Sequence, residues 1–370
     1  MQRRFRIVLA VMVALTLAAC APRGTIITMP EAAATGQVRP VFVGTTRGIG
    51  PDGDFDGSRV DSLQFTRLDI SVPPDRKTGE ITWPGRRGKP DPRRDFLTTQ
   101  RIAFDGAGDF RADLSQTLRT TGGEAVIFVH GFNNTFAEGA YRIAQMAHDL
   151  DLPGAVVHYS WPSAAQPLNY VYDRDSAIFA RDGLEQLLAE VENAGARRVI
   201  LVAHSMGSAL TMETLRQIAI RDKSRVLRKV SGVVLISPDL DVDVFRAQAK
   251  AIPRLPQPFI VFSSERDRIL QISARLSGQT ERLGSIRDLS RVADLPITFL
   301  DTAAFNAGSG HFDLGNSPAL IRLMERLTTV DDALDTDRAA RTGLLPGVVL
   351  TVQNATQIIL RPVAEIGTPR

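Results

Sequence analysis

A chain of 370 residues with 44% apolar side chains has enough material for one large buried core, not a disordered or fibrous polymer. Its 44 Lys and Arg against 41 Asp and Glu give a formal charge of +3, but three of those arginines fall within residues 1–19. The remainder is close to neutral, with no basic stripe interleaved with aromatics of the kind nucleic acid requires. A single cysteine excludes an internal disulfide, and five scattered histidines with no H-E-x-x-H or Cys/His cluster argue against a resident metal or other cofactor.

In chain order, Arg3, Arg4 and Arg6 precede an apolar and small run, Ile7 to Ala19, that is too short to span a bilayer. The pattern is that of a signal peptide over 1–19. Its ending, Leu17-Ala-Ala-Cys20, resembles a bacterial lipobox, which makes Cys20 the expected lipidation site and membrane anchor. Alanine after the cysteine favours the outer membrane, facing the periplasm. Residues 20–39 then read as the lipidated cysteine and a tether. Edge-strand candidates follow at Pro40–Val43 and Ser62–Val72, with a Pro/Gly/Arg-rich loop at Pro84–Arg94. Between them Asp52-Gly-Asp-Phe-Asp-Gly57 mimics the start of a calcium loop, but Leu63 stands where the twelfth-position glutamate belongs, so a solvated turn is expected.

From residue 125 the pattern alternates strand and helix. Strands are expected at Ala125–Val129, Ala155–Tyr159, Val199–Ala203, Gly232–Ile236, Phe259–Phe262 and Ile297–Leu300. They are continuous apolar runs, which marks a parallel sheet buried on both faces. Helical stripes separate them: Phe136, Ala140, Ile143, Ala144 and Ala147, then Leu184, Leu187, Leu188 and Val191, closed by Gly195. This predicts an α/β fold of the α/β-hydrolase type, a mostly parallel, doubly wound sheet with an N-terminal antiparallel edge.

The strand Val199–Ala203 runs into His204-Ser205-Met206-Gly207, a nucleophile elbow with alanine at the first glycine position of G-x-S-x-G. Ser205 is the expected nucleophile. In α/β-hydrolases the order is Ser, acid, His. Of the five histidines only His311 follows Ser205, so it is the expected general base. Asp267, behind the strand Phe259–Phe262, is the preferred acid and Asp239 the alternative; Asp241 and Asp243 read as first-turn residues of the next helix. The loop His130-Gly131-Phe132-Asn133 follows the strand Ala125–Val129. The amides of Phe132 and Met206 are the expected oxyanion donors. His130, Asn133, Trp161 and Tyr170 are candidate pocket residues, His130 as a structural ring and Trp161 either at the pocket mouth or packed at a strand end.

From about Pro40 to Leu327 the chain resembles the bacterial α/β-hydrolases gathered as domain-of-unknown-function family 900, an esterase/lipase-like group. The pieces are Val43-Gly-Thr-Thr-Arg47, His130-Gly-Phe-Asn133, Ser160-Trp-Pro-Ser163, Tyr170-Val-Tyr-Asp173, Ala203-His-Ser-Met-Gly207, Ser237-Pro-Asp239, Ser263-Ser-Glu-Arg-Asp267 and Gly310-His311. The resemblance implies a serine hydrolase fold and leaves the substrate open. A hydrolase domain over 40–327 is expected, with an extension of unknown role at 328–370 whose Gly347–Leu350 and Gln357–Leu360 either pair as strands or dock elsewhere. The expected reaction is cleavage of a small-molecule or lipid carboxylic ester. The same triad would serve an acyltransferase or thioesterase, and the bare fold an anchored binding scaffold.

Overall fold

The computed structural model describes residues 23–85, 89–221, 224–279, 281–304, 317–318, 321, 347–352 and 355–360. Strands β1 (Gln37–Ile49), β2 (Phe55–Val72) and β3 (Leu97–Phe104) come first, followed by helix α1 (Ala107–Thr120). Then the alternation begins: β4 (Glu124–Val129), α2 (Phe136–Asp149), β5 (Ala155–Ser160), α3 (Tyr170–Phe179), α4 (Arg181–Asn193), β6 (Arg198–His204) and α5 (Met206–Ile220). It continues through α6 (Ser224–Lys229), β7 (Val230–Ile236), α7 (Val242–Ala251), β8 (Phe259–Ser263), α8 (Arg268–Leu276), β9 (Thr298–Asp301), β10 (Gly347–Val352) and β11 (Ala355–Leu360).

All of these strands join one sheet in the order β10-β11-β9-β8-β7-β6-β4-β5-β1-β2-β3. The run from β11 to β1 is parallel, while β1-β2-β3 and β10-β11 are antiparallel. The expected parallel strands are therefore all present, five of them longer by a residue or two and the last, β9, shifted by one residue at the same length. Successive side chains of each strand enter opposite layers. Ile127, Val129, Leu201 and Ala203 pack against α1, α4, α5 and α7, whereas Val126, Phe128 and Val202 pack against α2. Burial on both faces is why these strands carry no polar alternation.

Helix starts follow local chemistry. Thr135 and Glu138 form a capping box on α2, Thr135 Oγ1 accepting from the Glu138 amide at 3.1 Å. Asp241 caps α7, accepting from the amides of Asp243 and Val244 at 2.9 Å each. Gly195 takes φ 104° just past α4, the left-handed position that stops the helix.

One expectation needs correction. Residues 23–39 are not a free tether. Arg23 and Gly24 bind Glu138, the Met29 amide donates to Thr98 O at 2.8 Å, and Pro30–Ala34 forms a 3-10 turn before β1. The segment buries too few large apolar groups to announce itself; backbone pairing holds it. The C-terminal strands do pair, and β11 lies parallel to β9, so the sheet continues past residue 327. The acidic stretch 52–57 sits in the β1–β2 connection and the start of β2. There Asp54 pairs with Arg101 at 2.9 Å and Asp56 accepts from the Ser58 amide.

Candidate active site

At the centre of the sheet β6 ends, Ser205 turns the chain, and α5 begins. Ser205 has φ 50° and ψ −121°, a left-side conformation that costs a non-glycine residue about 1–3 kcal/mol and persists only where its surroundings enforce it. Three backbone bonds do so. The Ser205 amide donates to Ile236 O at 2.9 Å, and Ser205 O accepts from the amides of Ser208 (3.0 Å) and Asp239 (3.2 Å). Gly207 is required by contact: a Cβ there would lie 2.3 Å from His130 O and 2.7 Å from Val129 O. Its absence lets α5 approach the end of β4. Ala203, at the other small position, is fully buried in the sheet with its extra methyl accommodated.

The loop after β4 crosses directly over this elbow. A Cβ on Gly131 would stand 2.9 Å from Ser205 Cβ. Beyond it, successive amides are engaged: Asn133 N donates to Asp173 Oδ2 (3.0 Å), Asn134 N to Ser163 Oγ (3.1 Å) and Thr135 N to Glu138 Oε2 (3.0 Å). Among the described residues, no acceptor is bonded to the Phe132 amide or to the Met206 amide at the first turn of α5. A helix N-terminus beside Ser205 adds the positive end of its dipole.

Asp267 is fully buried at the N-cap of α8, its Oδ1 accepting from the Leu270 amide at 3.0 Å. Asp239 is committed elsewhere. Its carboxylate accepts from Tyr170 OH (2.9 Å), is bonded by Ser273 Oγ, and forms a buried ion pair with Arg282 Nε at 3.1 Å. His311 and Cys20 lie outside the described residues.

The candidate pocket residues separate into different roles. Trp161 is fully buried, stacked on His130 with ring centroids 4.7 Å apart, and its Nε1 donates to His130 O at 2.7 Å. It has no surface to give a pocket mouth; it supports the loop. His130 Nδ1 lies 2.8 Å from Gly131 O and Nε2 3.0 Å from Trp161 O, so the ring braces the same loop. Asn133, at φ 58°, is gripped from the other side by Arg23, whose guanidinium donates to Asn133 Oδ1 (2.9 Å) and O (2.7 Å). Tyr170 sets its ring edge-on to Phe132 at 5.5 Å while its hydroxyl holds Asp239. Burial and the charge of Asp239 push that phenol up, which keeps it a donor.

Two residues that sequence reasoning quoted without a role are central here. Arg47, fully buried at the end of β1, donates to Ser160 Oγ, Asp56 O, Ser163 O and Asn134 O, each at 2.9 Å. Burial lowers its pKa to about 10, opposed by the charges of Asp173, Asp56 and Glu138. Asp173, equally buried, accepts from Ser163 Oγ, Ala164 N and Asn133 N. The available signal was a charged residue ending an unbroken buried strand, and an acid inside an otherwise poorly amphipathic helix.

Burial, then the charge of Arg47, holds the His130 pKa well below 6.5, and burial brings His158 down to about 3. Both rings are neutral in the fold but protonated in the unfolded chain below about pH 6.5, so stability rises with pH in that window. Each should remove about 1.4 kcal/mol per pH unit as pH falls below 6.5. Denaturant midpoints near pH 7.5 and 5 check this; equal midpoints would mean that neither ring resists protonation.

A serine on a strained strand-to-helix turn, in the middle of a mostly parallel sheet wrapped by helices, defines the α/β-hydrolase class. Residues 107–325 match the family described as alpha/beta hydrolase of unknown function (DUF900), and the chain belongs to it. No curated protein matches the chain. Solved structures similar to it include an esterase of Pyrococcus furiosus at 11% identity, covering 83% of this chain and 96% of that one with a TM-score of 0.38. A hyperthermophilic esterase from the archaeon Pyrobaculum calidifontis has 13% identity, coverages of 84% and 90%, and a TM-score of 0.36. The thermophilic carboxylesterase EstE1, cloned from a metagenomic library, has 12%, 83%, 92% and 0.34 for the same measures.

Proposed function

We propose that this protein hydrolyses carboxylic esters through an acyl-enzyme. Ser205 Oγ attacks the acyl carbon while His311 takes its proton, and Asp267 orients and stabilises the imidazolium. The Phe132 and Met206 amides receive the negative oxygen. His311 passes the proton to the departing alkoxide; water then adds to the acyl carbon by the same route and frees Ser205. The observation that carries this reading is the Ser205 turn itself: a strained backbone held beside two amides with no other described acceptor. The occupied carboxylate of Asp239 favours Asp267 as the acid. We place the reaction at the bacterial envelope, with the chain anchored through Cys20 to the outer membrane and facing the periplasm.

The test is covalent. A fluorophosphonate probe should label the chain beginning at Ala21, which keeps every described residue. Labelling should vanish in Ser205→Ala and collapse in His311→Ala. A folded wild-type protein that takes no label would sink the hydrolase reading in favour of a binding scaffold.

A further inference from the structure

Helix α8, beside the site, presents an exposed apolar stripe flanked by arginines. Helix α8 turns Ile269, Ile272 and Leu276 outward, 41% to 69% exposed, at the three- and four-residue spacing of a single stripe. The helix itself contains no acid, and Arg268 and Arg275 flank the stripe, with Glu265 and Arg266 exposed just before it. Among the described residues no carboxylate pairs with Arg266, Arg268 or Arg275. The stripe borders the site: Ser273, next to Ile272, bonds Tyr170 OH at 2.7 Å, and Tyr170 packs on Phe132. On either side of Tyr170, Leu168 is 97% and Val171 70% exposed.

A second feature concerns the Phe132 loop. Arg23 and Gly24 dock on the loop that carries Phe132, through Asn133, Glu138 and Thr135. Cys20 is three positions earlier, a reach of at most about 10 Å in extended chain. A lipid on that cysteine would therefore hold the Phe132 loop, and with it the site, close to the bilayer. Among the described residues no helix is long and apolar enough to cross a membrane, so lipid contact through them is at the surface.

We propose that the outer face of α8, with Leu168 and Val171, seats on an anionic phospholipid surface and opens the site toward it. Apolar side chains enter the headgroup boundary while Arg266, Arg268 and Arg275 meet lipid phosphates. Resting on the ester-hydrolase reading, this names the substrate class: long-chain acyl esters presented by the membrane, not small esters dissolved in water.

The experiment uses the chain from Ala21, unlipidated, with vesicles of phosphatidylcholine alone or mixed with phosphatidylglycerol. Wild type should co-sediment with the mixed vesicles, less with the neutral ones, and be released by salt. Ile272→Asp with Leu276→Asp should weaken binding by about tenfold or more, and Arg275→Glu should weaken it on anionic vesicles only. Ile220→Asp, also exposed but at the far end of α5 from Ser205, should bind as wild type does. Turnover of a soluble short-chain ester should be unchanged in all of these. Absence of binding to either vesicle, or equal binding by the Ile272/Leu276 variant, overturns the proposal. So does a variant that binds normally but loses folding stability, which would assign the stripe to packing within the fold. A wild-type dimer that the same variant dissociates overturns it as well, by assigning the face to a second copy. Binding in the expected pattern without soluble turnover or probe labelling would keep the surface and remove the hydrolase reading.

Discussion

Asp267→Asn should lower kcat on an ester by about 10⁴-fold while the fold stands. Asparagine still accepts from the Leu270 amide through its side-chain oxygen, so the cap on α8 survives and the change isolates the charge. On the proposed mechanism, what disappears is the stabilisation of the imidazolium on His311 and the choice of its tautomer. Asp239→Asn should do the reverse. It leaves the buried guanidinium of Arg282 without its counter-charge, a loss of about 3–5 kcal/mol of stability. Turnover by the folded fraction should stay within about tenfold of wild type. Steady-state kinetics paired with chemical denaturation reads both effects. A kinetic collapse in the Asp239 variant, with Asp267→Asn fully active, would move the acid to Asp239.

That pair also shows where the sequence was legible and where it stopped. The elbow can be read because its parts are local: an apolar run, a serine between small residues, a helix. The parallel strands can be read because burial on both faces removes polar residues from them. Asp239 and Asp267 follow consecutive strands in similar contexts, and nothing local separates them. Arg282, which pairs with Asp239, is 43 residues away in sequence, in a stretch without periodicity.

Strand β3 reads Leu97-Thr-Thr-Gln-Arg-Ile-Ala-Phe104, a polar edge strand with β2 along one side and only a short bridge to Thr28 at Thr98 on the other, and so carries no continuous apolar signal. Residues 23–39 look like a tether because their attachment runs through Arg23, Gly24 and backbone pairing with Thr98, not through apolar burial. Trp161 was visible as a strand-end tryptophan, but whether such a ring faces a pocket or a neighbour depends on His130, 31 residues earlier. Site geometry in this fold is assembled from side chains that meet only after folding.

Arg47 is the clearest instance, and Arg47→Met should be among the most damaging changes outside the reacting groups. The guanidinium ties the ends of β1 and β5 to the Phe132 loop by serving four acceptors at once, and it approaches His130 Nε2 at 3.3 Å. Methionine fills a similar volume but leaves the carbonyls of Asp56, Ser163 and Asn134 without their donor and removes the positive charge that acts on Asp173. Breaking one side of such a buried network costs about 3–5 kcal/mol. Arg47→Lys should recover little, because one ammonium on a flexible stem lacks the planar fork that reaches acceptors on separate elements. The functional consequence follows from the loop. With Asn134 O released, the Phe132 amide loses its fixed aim, and removal of an oxyanion donor typically lowers kcat by about 10²–10³-fold. KM should change much less, since the donor acts on charge that develops only as the tetrahedral intermediate forms. Denaturation midpoints and kinetics of the folded protein separate the two effects. A variant that loses stability yet keeps its kcat would confine Arg47 to the scaffold, and one unchanged in both would show that the loop is held by Asp173 and Trp161 without it.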